Sequence, residues 1–211
     1  MSQTFGKTRW RRFAVVMVPT LAVTAAVGVS VAQGALAASF SVSGTDFKVS
    51  AYSLTGQHFV QYGTVDVQKN GTMIPVAVSG FGSAQITNLC QSVAVDLSKV
   101  GLGTYVLKIQ AGTEANAPVT ASDLYIDMTD LKAQTATFYG INIGVAEGGV
   151  SKGAVSSGDA NSPFYNAGGF AQEADSATLT GVQQTAWATS AGTFSLNNMH
   201  LSINGTNNEC F

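Results

Sequence analysis

The sequence predicts an all-β fold, an antiparallel sandwich or open barrel, preceded by one apolar N-terminal helix. Beyond Val31, apolar residues alternate with polar ones, as in Ile74, Val76 and Val78, which is the pattern of half-buried strands. Turn-forming residues such as Lys69-Asn70-Gly71 and Gly101-Leu102-Gly103 divide these stretches at short intervals. Many short strands separated by such turns favour a sandwich or a barrel.

The first 37 residues have the composition of an export segment. Four basic residues end at Arg12, the last arginine of the chain, and the 19 residues from Phe13 to Val31 are uncharged and apolar. Ala35-Leu36-Ala37 is a small-residue cleavage site, which predicts a signal peptide and a mature chain beginning at Ala38. The apolar stretch is also close to the ~20 residues that span a bilayer, which predicts a retained anchor with a cytoplasmic N-terminus. Both interpretations place the body outside the cytoplasm, at the outer face of the membrane, in the envelope or in the medium.

The body, residues 38–211, is expected to form a single domain with a sparsely charged, acidic surface. All twelve acidic residues lie in it against six lysines, since four of the ten basic residues belong to the first 37, so its net charge is 6 − 12 = −6. Nucleic-acid backbones require clustered lysine or arginine, so we exclude a nucleic-acid partner. A surface covered by Ser, Thr, Asn, Gln and Gly either solvates itself or meets lipid, wall polymer or its own copies.

The two cysteines, Cys90 and Cys210, predict one structural disulfide. An even count fits an oxidising compartment, and the bond would tie the last residues of the chain to the first third of the body. Neither cysteine has a nearby histidine or a Cys-x-x-Cys neighbour, so a redox or metal pair is not predicted.

Along the body, we expect a hairpin at Asn70-Gly71, because a type I′ turn needs two residues that tolerate positive φ, and a turn at Ser79-Gly80. The glycine-rich segment, residues 147–169, contains six glycines and little apolar periodicity. It is predicted to be a long exposed loop, and loops of this length are often functional. One helical turn over 169–175 is a further expectation.

One short motif suggests ester hydrolysis. Gly149-Val150-Ser151-Lys152-Gly153 matches G-x-S-x-G, in which a strand-to-helix turn exposes a nucleophilic serine. Chain order would allow Ser151 to be followed by an aspartate and then His200 as the base. No helix is predicted after the motif, however, and glycine- and serine-rich segments match it by chance. We therefore predict no catalytic residue, with Ser151 and His200 as the alternative, and no cofactor or metal site.

Aromatic residues lie close to the glycine-rich segment and are the candidates for a ligand site. They are Phe164, Tyr165, Phe170 and Trp187. Core packing is the favoured explanation of such residues, and the alternative is that they border an apolar groove.

Several segments together resemble a known family. They are Thr8–Val16, Ala32–Phe40, Thr87–Ser92, Ala186–Phe194 and Glu209–Phe211. The resemblance covers essentially the whole chain and is to an uncharacterised exported family of actinobacteria, often labelled "cholesterol esterase". It implies an envelope setting with membrane proteins as neighbours and gives no catalytic residues to transfer.

The sequence therefore predicts a non-catalytic envelope protein that binds or assembles with lipid, a membrane protein or its own copies. The alternative is an esterase of lipid or steryl esters that uses Ser151 and His200.

Overall fold

The computed structural model describes residues 43–205 and 208–211; the predicted signal peptide or anchor lies outside them. The described chain is mostly antiparallel β-structure, which confirms the predicted fold class. Its helical parts are two single 3-10 turns, Ser98–Val100 and Glu147–Gly149, and the four-residue helix α1 (Ser157–Ala160). Within these residues, no helix is both long enough and apolar enough to cross a membrane. The strands are β1 (Phe47–Val67), β2 (Met73–Thr87), β3 (Leu89–Asp96), β4 (Thr104–Ala111), β5 (Val119–Lys132), β6 (Thr135–Tyr139), β7 (Asn142–Ala146), β8 (Phe170–Ser190), β9 (Thr193–Ser195) and β10 (His200–Gly205).

The four longest strands form a closed ring of hydrogen-bonded pairs. β1 pairs with β2, β2 with β5, β5 with β8, and β8 returns to β1. Around the ring Tyr62 lies opposite Val78, Val78 opposite Asp127, and Asp127 opposite Ala188. Near that point of β8, however, Ala186 faces Phe47, which is far from Tyr62 along β1. Closure with such a stagger requires strands that are strongly tilted. β6 and β7 pair with β8 beyond the end of β5.

Strands β3, β4 and β10 continue the sheet beyond the ring, and we call them the arm. β3 pairs with the first residues of β1, Lys48–Ser50, and β4 and then β10 follow outward. Residues 208–211, the tail, lie against one face of the arm. There Cys90 and Cys210 have their sulfur atoms 2.00 Å apart, the bonding distance of the predicted disulfide.

The β1–β2 hairpin forms where it was predicted, with a longer connection. Val67 faces Met73, so five residues connect the strands, and Gly71 has φ +84°. The expected turn at Ser79-Gly80 is wrong, because both residues are buried inside β2. A Cβ at position 80 would lie 2.7 Å from the Tyr125 ring, so the glycine permits close contact between β2 and β5. The expected helical turn at 169–175 is also wrong, since β8 begins at Phe170.

Alternate side chains of the ring build two apolar cores on its two faces. The first core is the larger and contains Phe59, Phe81, Leu124, Ile126 and Met128 among others. The second core contains Val60, Tyr62, Val76, Val78 and Ala171.

The glycine-rich segment packs over the second core. Val150 and Val155 contact it, and Glu147 is buried. A Cβ at position 153 would lie 2.7 Å from the Val60 Cβ, so Gly153 allows the segment to approach β1 closely. The second glycine of the G-x-S-x-G match therefore has a packing role.

Candidate functional site

An apolar cavity of about 240 Å³ lies within the first core. Its mouth is beside β6, where Ala136 is exposed and Phe138 is half-buried. β5 has left β8 at this point and β6 has replaced it. Eleven apolar side chains line the cavity: Leu54, Phe59, Phe81, Ile126, Met128, Leu131, Ala133, Ala136, Phe138, Leu179 and Val182.

Three phenylalanines from different strands form one side of the cavity. The ring of Phe59 is 5.4 Å from that of Phe81 and 5.1 Å from that of Phe138, both in tilted arrangements. Such geometry is favourable for aromatic pairs and holds the rings in place. The wall is therefore preformed by β1, β2 and β6.

The polar groups of the cavity are few and are held by neighbours. Gln61, Ser79 and Gln184 are its polar lining residues. The Gln61 amide donates to the Ser79 hydroxyl at 2.9 Å and accepts from the Gln172 amide. A mainly apolar pocket with a few oriented polar groups is the usual form of a small-molecule site.

A polar depression of about 410 Å³ adjoins the cavity and shares Ala133 and Val182 with it. Its cation is Lys132, whose ammonium is 3.4 Å from the Asp130 carboxylate and is largely exposed. The amides of Gln134, Gln183 and Asn88 and the hydroxyl of Ser50 provide neutral polar groups. Apolar and polar compartments thus lie side by side.

Ser151 is a structural contact of Glu173 in this structure. Glu173 is 2% exposed and accepts hydrogen bonds from the Ser151 and Lys152 amides at 2.5 and 2.7 Å. The Ser151 hydroxyl donates at 3.2 Å and the Asn142 amide at 2.9 Å. Burial alone would raise the pKa of Glu173, but these hydrogen bonds lower the pKa to about 2. The carboxylate is therefore a very weak base.

His200 lies on β10, the outermost strand of the arm, opposite Gln110 of β4. It is exposed, and no hydrogen bond joins it to Ser151 among the described residues. Ser151 is followed by α1, which begins six residues later and has Ser156 as its N-cap. The strand-to-helix turn of a nucleophile elbow is thus not formed at Ser151.

The four aromatic candidates lie away from the cavity lining. Phe170 and Phe164 are exposed, and the Tyr165 hydroxyl lies over Gly148 in the glycine-rich segment. Trp187 packs on the second core. The lining phenylalanines are instead strand residues that look like ordinary core positions, and no local sequence signal separates them from the remainder of the core.

Three carboxylates gather on the second-core face. Asp159 of α1 accepts from the Tyr62 hydroxyl at 2.6 Å and from the Ser156 hydroxyl at 2.7 Å. Burial, together with Asp159, raises the pKa of Asp66 to about 6. Burial, together with Asp66 and Asp159, raises the pKa of Asp127 to about 8.

These carboxylates do not form a metal site. Within residues 43–205 and 208–211, no group of three potential ligands is placed to hold a metal ion. Their like charges disfavour ionisation of Asp66 and Asp127, and the hydrogen bond from Tyr62 to Asp159 is what joins α1 to the ring here.

Fold and site together define an all-β antiparallel protein with an apolar cavity and a covering glycine-rich segment. Comparison with known families identifies it further: the chain belongs to a family of unknown function, DUF6230, which matches residues 43–211. This confirms the resemblance to a family of unknown function, while its actinobacterial setting and its esterase label stay predictions. No curated protein and no solved structure matches the chain.

Proposed function

We propose that the protein binds an amphiphile, holding one apolar chain in the first-core cavity and the polar end in the adjoining depression. The observation that carries the proposal is the cavity itself, which has eleven apolar lining residues and adjoins the depression that contains Lys132. Of the partners predicted from the sequence, the cavity favours lipid, because an interior cavity accepts a chain and not a protein surface.

The cavity volume limits the ligand. A cavity of about 150 Å³ already holds benzene, and sites for drug-sized molecules have about 300–1,000 Å³. The 240 Å³ found here therefore suits one alkyl chain, or the end of a longer lipid, better than a whole sterol. Burying about six methylenes would contribute about 5 kcal/mol, against which the cost of association is set, so contacts of the polar end would have to add to the affinity.

The depression supports a polar or anionic head group. Lys132 offers the positive charge, and Gln134 and Gln183 offer hydrogen bonds within the same hollow. Ala133 and Val182 border both compartments, which supports one ligand occupying the two together. A fatty acid or a related single-chain amphiphile has this shape.

Decanoate is the probe that tests the proposal, with protein melting temperature as the readout. At 100-fold excess over Kd, about 2.7 kcal/mol of stabilisation is expected, a rise of about 5–10 °C. Ala136→Phe fills the mouth and should abolish the rise. Thr137→Phe, the next residue of β6 and exposed, should leave it intact. A wild-type protein that decanoate does not stabilise, or equal rises in both variants, would contradict the proposal.

Ester hydrolysis is the alternative function, and Ser151→Ala tests it. The change removes one hydrogen bond to Glu173, so we expect a loss of about 0.5–1.5 kcal/mol in unfolding free energy. We expect no change in hydrolysis of 4-nitrophenyl decanoate, compared with Ser157→Ala, a nearby exposed serine, as control. Hydrolysis that disappears only with Ser151→Ala would establish the esterase instead.

We place this function outside the cytoplasm, at the envelope. The export-type first 37 residues and the Cys90–Cys210 pair support that setting.

A further inference from the structure

The tail covers one face of the arm, and the opposite face is apolar. On the covered face, the Ser92 hydroxyl accepts from the Cys210 amide at 3.0 Å, and Lys48 pairs with Glu209 at 2.7 Å. Val106, beneath the tail, is 2% exposed. The tail therefore packs on one side of β3 and β4 and leaves the other side free of it.

The opposite face of the arm is a continuous apolar surface. Opposed pairs across its strands are Val93 with Leu107, Val95 with Tyr105, Ile109 with Leu201, and Leu107 with Ile203. None of these residues belongs to either core. Leu201 and Ile203 remain 52% and 57% exposed. We call this set the apolar face.

The hairpin between β3 and β4 extends this surface. Val100 and Leu102 are 69% and 58% exposed at its tip, with Lys99 between Ser98 and Val100. The Asp96 carboxylate, also at the tip, accepts from the Ser98 amide at 2.8 Å and so is held against the backbone. Exposed apolar side chains beside a long cationic one are typical of contact with a lipid–water interface.

The chain enters the described structure at the arm. β1 begins at Phe47, and Lys48–Ser50 pair with Ser92–Cys90 of β3. The uncharged stretch ends at Val31, and the eleven residues 32–42 that follow can extend to at most about 40 Å. A stretch of 19 apolar residues is close to the ~20 that span a bilayer. An anchor there would hold the arm near the membrane.

We propose that the apolar face and the β3–β4 tip dock on the surface of a lipid bilayer, beside the point where the N-terminal apolar stretch joins the body. The face itself carries no charged side chain, and Lys99 at its border can reach lipid phosphates. The proposal concerns a surface distinct from the cavity, so each stands without the other. It does rest on the apolar stretch remaining attached.

Quenching of tryptophan by brominated acyl chains tests docking of the full chain in phosphatidylcholine–phosphatidylglycerol vesicles. Trp10→Phe and Trp187→Phe remove the two native tryptophans, and Leu102→Trp then places a single reporter at the tip. Met73→Trp is the matched control, because Met73 is exposed at the opposite end of β1. Apolar groups at a bilayer interface lie about 5–10 Å deep, so we expect roughly twofold quenching of the tip reporter and none of the control.

Two further outcomes complete the test. Leu201→Ser with Ile203→Ser should reduce quenching at the tip while near-ultraviolet circular dichroism shows an unchanged fold. Emission from the tip reporter that is equal in brominated and ordinary lipid would overturn the proposal. So would a blue shift that depends on protein concentration without vesicles, since a second copy would then cover the face.

Discussion

Among single residues, Glu173 has the largest role in holding the glycine-rich segment to the ring. Its buried carboxylate collects four hydrogen bonds from three residues, Asn142, Ser151 and Lys152. Hydrogen bonds to a charged acceptor are stronger than neutral ones. The carboxylate thus compensates for the few apolar contacts that a glycine-rich segment can make.

Replacing Glu173 by Gln should detach this segment. The uncharged amide would leave backbone donors without full partners, at a cost of about 1–3 kcal/mol. Urea denaturation, with hydrogen exchange of the 150–153 amides, measures the loss. Asp175→Asn is the control, because that carboxylate is 65% exposed and pairs with Lys152 on the surface, where ion pairs contribute about 0–1 kcal/mol. Equal losses in the two variants would refute the anchoring role.

The pKa of Glu173 also sets a pH dependence. Its folded pKa, about 2, lies below the ordinary 4.5. The stabilisation is therefore complete above pH 4.5 and is lost as pH falls toward 2.

Asp127 and Asp66 give stability the opposite dependence on pH. Their folded pKa values, about 8 and about 6, exceed the ordinary 3.8. The folded state binds more protons there, so the stabilisation from these two groups is complete below pH 3.8 and is lost as pH rises toward 8. We expect Asp127→Asn to flatten this decline in unfolding free energy between pH 5 and 8, and Asp130→Asn, exposed on the same strand, to preserve it. A decline unchanged by Asp127→Asn would show that Asp127 is not its source.

The sequence predicted the role of a residue where the residue type alone determines it, and not where the role depends on contacts with distant parts of the chain. The cysteine pair was predictable because two cysteines in an oxidising compartment have one pairing. Ser79 and Gly80 resembled a turn by residue type. The contact that explains Gly80 is with Tyr125, which lies far away in the chain, so the local sequence did not reveal it. Glu173 gave no signal, since its partners lie more than twenty residues away.

At the scale of elements, the alternation of apolar and polar residues predicted the strands. The sequence did not show where that alternation shifts by one residue inside a strand. His58 and Asp123 have φ of 55° and 47° inside β1 and β5. At each of these residues, the alternation of buried positions shifts by one residue. In β1 the buried residues Leu54 and Gly56 are followed by Phe59, and in β5 Ala121 is followed by Leu124. The strict alternation of a continuous strand is interrupted there, which made long strands look like several short ones.

Breaking the disulfide between the tail and β3 should affect the arm more than the ring. A disulfide that closes a loop of about 120 residues contributes at most about 4–5 kcal/mol. We expect Cys90→Ser with Cys210→Ser to lower the melting temperature and to increase hydrogen exchange in β3 and β4, as Val106 loses its cover. Protection near the β1–β2 hairpin, where Val67 faces Met73 at the opposite end of β1, should change less. Uniform loss of protection would show that the disulfide supports the whole fold and not the arm.

For the whole molecule, the mass of the chain in its own host's envelope tests the membrane setting. Docking beside an attached anchor predicts a membrane-bound species that retains Met1 or Ser2 and is two hydrogens lighter than the reduced chain. Native mass spectrometry of the envelope fraction measures this. A soluble species beginning at Ala38 would contradict the anchored arrangement and leave amphiphile binding to be judged on the decanoate experiment.

The ring also determines the order in which the molecule can assemble. β1 is made early, but one of its long partners is β8, which begins at Phe170. Contacts between residues so distant in the chain form slowly, because a large loop must close first. As the chain emerges N-terminus first, β1 and β2 can pair while the edge that β8 will occupy stays open. The last fifth of the chain must therefore appear before the ring can close, which gives a nascent chain a long interval in an unfolded form.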